Sequence, residues 1–208
     1  MVKLKLNLKI VAAIVVCFTV TSVHAQKVAP TDKFSKKEIE NFKENKFEWK
    51  GSNTEEAQAV MKDGHYSLKG KRPELSPLPV TVESSAKLPF DPLSNFKITV
   101  NLQVIELTGQ SVFQILLNSG NVAFAIAENG WAVANGPNPA CNGQIKTAKG
   151  ATVSLSVQKK GASLFFSYNG KLLCTMESQD IKSAEVTLAL MNIVFSAEVN
   201  VNEVIVEY

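Results

Sequence analysis

The sequence predicts an all-β fold in which two antiparallel sheets pack face to face as a sandwich. From residue 96 to residue 208 apolar and polar residues alternate, and in the segment FKITVNLQV every second side chain from Phe96 to Val104 is apolar. This period of two is imposed by β-strands and not by helices. Asn-Gly and Asp-Gly pairs separate several of the alternating segments, as at Asn169-Gly170. Short strands joined by tight turns are typical of sandwiches and barrels.

The first 25 residues have the composition of a signal peptide. Three lysines precede an apolar stretch of residues 10–23, and Val23-His24-Ala25 supplies small residues at a cleavage site. We therefore expect the mature chain to begin at Gln26 and to be exported, to the periplasm or the extracellular space. A retained anchor is the alternative, although the stretch is shorter than the ~20 residues that span a bilayer. No membrane span is expected after cleavage.

Charge balance argues against two classes of partner. The complete chain has 22 Lys and Arg against 19 Asp and Glu. Loss of the three leading lysines leaves equal numbers of basic and acidic residues, so the mature chain is formally neutral. Arg72 is the single arginine. Binding to nucleic acid or to an anionic membrane requires clustered basic residues, so we exclude both partners.

The cysteine count allows one disulfide in the exported protein. Cys17 belongs to the signal segment, which leaves Cys141 and Cys174 in a compartment that permits oxidation. Two buried thiols are the alternative that the sequence leaves open.

The predicted organisation is a polar leader at residues 26–46 followed by a single β-sandwich domain at residues 47–208. Ser35 and Glu38 have the spacing of a capping box, so the leader is expected to contain a short helix from about Lys36 to Asn45 or to be disordered. The first strand is predicted at Phe47–Gly51, followed by a hairpin closed by Asp63-Gly64.

A proline-rich segment at residues 70–79 predicts a loop, because proline cannot donate to a strand ladder. The remaining strands are predicted near Val80–Ser84, Phe96–Leu107, Val112–Asn118, Val122–Glu128, Trp131–Ala134, Gln144–Thr147, Val153–Gln158, Ser163–Tyr168, Lys171–Met176, Val186–Leu190 and Val194–Val206.

The sequence predicts no metal and no cofactor. His65 is the one histidine of the mature chain, and zinc-binding motifs are absent. Calcium would require converging oxygen ligands, whereas the aspartates are dispersed at Asp32, Asp63, Asp91 and Asp180. Asp91 is expected to hold its own turn by accepting hydrogen bonds from nearby backbone amides.

One loop has the composition of a sugar-binding site. The segment NGWAVANGPNPACNGQ offers Trp131 as an aromatic plate for a pyranose ring, with Asn135, Asn138 and Asn142 as hydrogen-bonding groups. Cys141 would attach this loop to the strand that carries Cys174. The alternative is that Trp131 is a core residue and the asparagines serve turns.

The order of several segments resembles the concanavalin A-like lectin and glucanase superfamily, and in particular the laminin G-like modules of exported bacterial proteins. These segments are FEWKG, AVMKDGHYSLKGK, LPFDPLSNFKITVNLQV, ASLFFSYNGKLLCTM and VNVNEVIVEY. The resemblance covers about four fifths of the chain. It implies a jelly-roll sandwich and either carbohydrate binding or glycan hydrolysis.

Glucanases of this superfamily carry E-x-D-x-x-E on one strand, and the resemblance places Glu198 and Glu203 at its two catalytic acids. Asn200 stands where the supporting aspartate is expected, so the charge that separates the pKa values of the two acids is missing. The leading expectation is therefore a non-catalytic module that binds a glycan or a cell-surface component such as a protein. One alternative is a glycan hydrolase that uses Glu198 and Glu203, and another is a structural or assembly protein. If the protein is not a hydrolase, the two glutamates are expected to lie on a solvated face of the sheet.

Overall fold

The structure, a computed structural model, describes residues 30, 33–74, 76, 78–136, 138–177 and 181–208. The predicted signal segment lies outside these residues. The described part contains fifteen β-strands and no helix, so it holds no helix long and apolar enough to cross a membrane. The strands are β1 Lys37–Glu40, β2 Lys50–Gly51, β3 Ala57–Lys62, β4 His65–Lys71, β5 Val80–Lys87, β6 Phe96–Glu106, β7 Val112–Leu117, β8 Val122–Ala127, β9 Trp131–Asn135, β10 Asn138–Gly143, β11 Thr152–Lys160, β12 Ser163–Tyr168, β13 Lys171–Glu177, β14 Glu185–Ile193 and β15 Ser196–Glu207.

The strands form two antiparallel sheets. Sheet A has the order β13-β12-β11-β6-β15-β4-β3, and β1 pairs with the C-terminal half of β15. Sheet B has the order β10-β9-β8-β7-β14-β5-β2. The neighbouring strands are mostly distant in sequence, because the chain passes repeatedly between the two layers. This arrangement confirms the predicted all-β, two-sheet jelly-roll sandwich.

The core lies between the sheets and is built from the alternate residues of each strand. In β6 the five apolar side chains predicted to share a face, from Phe96 to Val104, are completely buried. Phe124 of sheet B meets Phe166 of sheet A edge to face, with 5.6 Å between the ring centroids. Burying a large apolar side chain stabilises the fold by about 1.5–3 kcal/mol. A one-residue slip of β6 would expose all five side chains to water, and about 10 kcal/mol of stabilisation would be lost.

The hairpin turns have the backbone that their sequences predict. Asp63 and Gly64 have φ angles of 50° and 77°, and Asn169 and Gly170 have φ angles of 48° and 77°. Two successive positive φ angles match the right-handed twist of the flanking strands, and asparagine, aspartate and glycine adopt them at the lowest cost.

The helix predicted from Lys36 to Asn45 is wrong. Residues 37–40 form strand β1, whose partners are residues 204–207 of β15, so sheet A begins ahead of residue 47. The hydroxyl of Ser35 donates to the carbonyl of Tyr208 at 3.1 Å and does not serve a capping box. A helix of two or three turns is marginal without tertiary contacts, whereas the edge of β15 satisfies the backbone of this segment directly.

The segment after β1 is held by a buried acid. Glu40 is 1% exposed, and its two carboxylate oxygens accept hydrogen bonds from the amides of Phe42 at 2.8 Å and Phe47 at 2.9 Å. Asn45 closes the same loop by accepting from the amide of Trp49 and donating to its carbonyl. Phe42, Trp49 and Tyr66 stack as an aromatic cluster beneath it. The segment from residue 41 to residue 49 is therefore a rigid wall of the sandwich.

The attachment of β1 is expected to depend on pH. The hydroxyl of Tyr208 donates to Glu38 at 2.6 Å, and this bond, with the ammonium of Lys46 at 3.1 Å as the second cause, lowers the pKa of the Glu38 carboxyl. A lowered pKa stabilises the folded state above the ordinary pKa of the carboxyl, and the stabilisation is lost as the pH falls through the lowered value. Tyr208→Phe should move the pKa of Glu38 upward, which a carboxyl NMR titration would measure. An unchanged midpoint would show that this hydrogen bond does not set the pKa.

Candidate functional site

The predicted aromatic plate is a core residue. Trp131 is 9% exposed and belongs to the main hydrophobic cluster between the sheets. Its indole lies so close to Gly143 of the neighbouring strand that a Cβ at Gly143 would be 2.7 Å from Nε1. Its face is thus covered, and the expectation that Trp131 stacks on a sugar is not supported by its position.

The other residues of the predicted loop lie on two adjacent strands and point to different sides. Asn135 shares the inner side of β9 with Trp131 and Val133, and its Oδ1 is buried without a hydrogen bond from the described residues. Asn142 lies opposite Ala132, on the outer side of sheet B. Asn138 is the first residue of β10, and its side chain lies outside what the structure describes. The structure therefore does not bring these residues together as one site. The predicted strand at Gln144–Thr147 is replaced by β10.

Cys141 and Cys174 are joined by a disulfide. Cys141 lies on β10 and Cys174 on β13, the edge strands of sheet B and sheet A. The bond therefore connects the two layers across one open side of the sandwich.

The outer face of sheet B has a floor of small side chains. Five alanines on the neighbouring strands β8 and β9 and on β14 point away from the core, and each is at most 6% exposed: Ala123, Ala125, Ala132, Ala134 and Ala189. We call this surface the alanine floor. It is flanked by the longer apolar side chains of Val112, Leu116 and Met191, which form a second small hydrophobic cluster with Ala127 and Ala189. Methyl groups are shorter than the side chains beside them, so the face is lowest at the alanines, and we call this low area the trough. The alanines themselves are almost fully buried, so the accessible apolar surface lies at the border, at Leu116 and Ala127.

Gln114 lies in the middle of the alanine floor. It is the register partner of Ala125 on one side and of Ala189 on the other. The residue is 6% exposed, and none of the described residues forms a hydrogen bond with its amide. Its amide atoms are not among the fully buried polar atoms that lack a partner, so the amide remains within reach of solvent. A primary amide without a protein partner, set in an apolar floor, is suited to bonding a ligand.

Polar side chains border the same face. The hydroxyl groups of Ser85 and Thr187 are 2.7 Å apart across β5 and β14, and Lys50 of β2 is the register partner of Ser85. Asn142 borders the opposite end of the floor on β10. Two acids face outward on the described strands of sheet B: Glu83 of β5, which is the register partner of Ala189, and Glu185 at the start of β14.

The sequence contains the signal for this surface, but the strand predictions did not use it. In VAFAIA and WAVAN, alanine alternates with larger apolar residues. Such strands are apolar on both sides, with a small residue at every second position. Only the register of five neighbouring strands shows that the small positions coincide and surround Gln114.

Glu198 and Glu203 lie elsewhere, on the outer face of sheet A. Glu198 forms a salt bridge with Lys69 at 3.2 Å, and Glu203 accepts a hydrogen bond from the amide of Asn101 at 2.9 Å. Even with the bulge between residues 201 and 203, about 3.3 Å of rise per residue separates the two positions by roughly 13 Å along β15. A retaining glycosidase needs its two carboxyls about 5 Å apart. The arrangement agrees with a solvated face rather than with a catalytic pair.

The described residues contain no cluster of three or more metal-ligating side chains. Asp91 holds its turn, accepting from the amide of Leu93 at 3.0 Å and the hydroxyl of Ser94 at 2.8 Å, and these bonds lower the pKa of its carboxyl. Asp63 lies in its hairpin turn, whereas Asp32 and Asp180 lie outside the described residues. His65 lies at the start of β4.

No protein-family model and no curated protein matches this sequence. Solved structures match its fold. A β-glucanase from Bacillus licheniformis has a TM-score of 0.60 at 11% identity, over 83% of this chain and 98% of that one. The carbohydrate recognition domain of Emp46p has a TM-score of 0.57 at 7% identity, over 81% of this chain and 91% of that one. A sialidase has a TM-score of 0.57 at 12% identity over 76% of this chain, which spans only 16% of the sialidase.

These similarities establish the architecture. The fold is the concanavalin A-like jelly roll, as the order of segments in the sequence predicted. Identities of 7–12% show that the folds are similar, but they do not show a shared activity. The function must therefore be argued from the surfaces of this chain.

Proposed function

We propose that this protein is an exported, non-catalytic module that binds a glycan on the outer face of sheet B. The observation that carries the proposal is Gln114, an unpartnered amide enclosed by the alanine floor. The structural neighbours include a carbohydrate recognition domain and a glucanase, so their names support a glycan as the ligand class. Export is inferred from the leading 25 residues.

The chemistry of the floor suits a sugar ring that lies flat. The half-buried side chains of Leu116 and Ala127 at the border of the floor offer an apolar surface to the C–H face of the ring. The amide of Gln114 supplies both a donor and an acceptor, which can bond two neighbouring hydroxyls of one sugar. Asn142 at the edge of the floor can bond a further hydroxyl. Here the apolar border takes the place of the aromatic plate predicted at Trp131.

Hydrolysis is less well supported than binding. The outward positions of sheet B carry two acids, Glu83 and Glu185, whose positions are about 13 Å apart along the neighbouring strands β5 and β14. Glu198 and Glu203 are engaged by Lys69 and Asn101 on the other sheet. Glu198 does have a second acid beside it, its register partner Glu106 on β6, but Glu106 accepts a hydrogen bond from the hydroxyl of Ser196 at 2.6 Å. We therefore rank binding ahead of hydrolysis.

Gln114→Ala should weaken glycan binding by about tenfold or more, because the loss of a buried hydrogen-bonding group costs about 1.5 kcal/mol. Residues 26–208 would be titrated with a panel of soluble polysaccharides by calorimetry. Ala125→Phe should abolish binding by filling the trough. Gln103→Ala is the matched control, since it makes the same change on the outer face of sheet A.

A second readout separates a binding role from a structural one. Because the amide of Gln114 forms no hydrogen bond with the described residues, Gln114→Met should leave the free energy of unfolding close to that of the wild type. Equal glycan affinity in wild type, Gln114→Ala and Ala125→Phe would refute this site. The same samples would be assayed for reducing ends, and their release would refute the non-catalytic role.

A further inference from the structure

A cleft of about 710 Å³ lies at one edge of the sandwich, and none of the alanines of the floor lines it. Its walls are β1, the rigid loop after it, β2, β5 and the start of β14. Six charged side chains line it: Glu38, Lys46, Glu48, Lys50, Lys87 and Glu185. The volume is in the range of sites for small ligands, which is about 300–1,000 Å³.

The charges of the cleft are only partly used within the protein. Glu38 and Lys46 form a salt bridge at 3.1 Å. In the described part of the chain no salt bridge involves Lys50, Lys87, Glu48 or Glu185, although Lys87 and Glu185 are register partners on β5 and β14. Two ammonium groups and two carboxylates therefore face one concavity without ion-pair partners.

The loop that carries Lys46 and Glu48 is preorganised. Glu40 and Asn45 fix the loop through four hydrogen bonds to its backbone. Within the loop, Phe42 and Glu48 have φ angles of 56° and 54°. Such a conformation costs a residue other than glycine about 1–3 kcal/mol, and it persists where the surrounding structure enforces it, often at a binding site. In this chain it directs Glu48 into the lining of the cleft.

We propose that this cleft binds a small zwitterion that carries an ammonium group and a carboxylate, namely an amino acid or a short peptide with free ends. A purely anionic ligand would be attracted by Lys50 and Lys87 but repelled by Glu48 and Glu185. A purely cationic ligand would be attracted by the two glutamates and repelled by the two lysines. Only a ligand with both signs is complementary to the whole lining. The cleft shares Lys50, Ser85 and Glu185 with the border of the glycan face, but Gln114 does not line it.

The test uses alanine, dialanine and tetra-alanine as probes, with amide NMR and calorimetry on residues 26–208. Dialanine should shift the amide signals of Glu48, Lys87 and Glu185. Blocked dialanine, which is acetylated at its amino end and amidated at its carboxyl end, carries no charge and should not shift these signals. The length of the natural ligand is inferred from the probe with the highest affinity among the three that have free ends.

Lys87→Gln and Glu185→Gln each remove one charge with little change of shape, and each should weaken dialanine binding by about tenfold. Lys69→Gln, on the outer face of sheet A, is the matched control and should have no effect. Gln114→Ala should retain dialanine binding, which distinguishes failure at this cleft from failure at the glycan site. Equal affinity for free and blocked dialanine, or no shift at millimolar probe concentrations, would overturn the proposal.

Discussion

Replacing both Cys141 and Cys174 with alanine should lower the free energy of unfolding by about 4 kcal/mol, the value that the chain-entropy model gives for this loop. The disulfide closes a sequence separation of 33 residues and joins the edge strands β10 and β13 of the two sheets. Its loss gives the unfolded chain more freedom and removes the covalent link across that open side. Urea denaturation of residues 26–208 would measure the change.

Reduction of the unmodified protein is the matched control for that experiment. A reductant should reproduce the loss in the wild type and should have no effect on the double variant, because Cys17 is outside the expressed residues. The first structural consequence should be at β10, which pairs with β9 alone in sheet B. Asn142, on β10, should then contribute less to glycan binding under reducing conditions. A loss below about 1 kcal/mol would mean that other contacts hold this edge.

Gly51→Ala should destabilise the protein by about 3 kcal/mol, the upper part of the usual range for overpacking. A Cβ at Gly51 would lie 2.6 Å from the Cβ of Ala59 and 2.9 Å from both the carbonyl oxygen of Glu83 and the Cβ of Ser84. None of these atoms can move by rotation of a side chain. Relief therefore requires β2 to separate from β5, which thermal and urea denaturation would detect.

Gly70→Ala is the informative comparison for Gly51→Ala. Its Cβ would come even closer to a neighbour, 2.2 Å from Cδ1 of Ile193. That atom is the end of a flexible side chain, however, and a change of rotamer can move it away. Gly70→Ala should therefore cost less than Gly51→Ala in spite of the shorter distance. The opposite order would show that the backbone at β2 yields more easily than the packed Ile193.

The sequence was a good guide where a single strand carried the information. Alternation in β6 predicted which five side chains are buried, and Asp63-Gly64 and Asn169-Gly170 predicted turns with the required φ angles. It failed at residues 37–40, because a four-residue strand has almost no periodicity and its pairing depends on β15, at the other end of the chain.

The candidate site was less predictable than the fold. The polar, glycine-rich neighbours of Trp131 are compatible with an exposed plate as well as with a core residue, and its position on β9 turns it toward the core. Gln114 has no local signature, since one glutamine in SVFQILL is compatible with any strand. Its significance arises from alanines on β8 and β14, which become its neighbours only through the register of the sheet.

The pairing of β1 with β15 also determines how the molecule would respond to tension. Residues Lys36 and Tyr208 are joined by two backbone hydrogen bonds, of 2.8 Å and 3.0 Å, and the ladder continues inward from this pair. A force that pulls these two points apart would load the bonds one after another, as in a zipper, and not all together in shear. The strand nearest the N-terminal segment would then detach at low force while the rest of the sandwich remained folded.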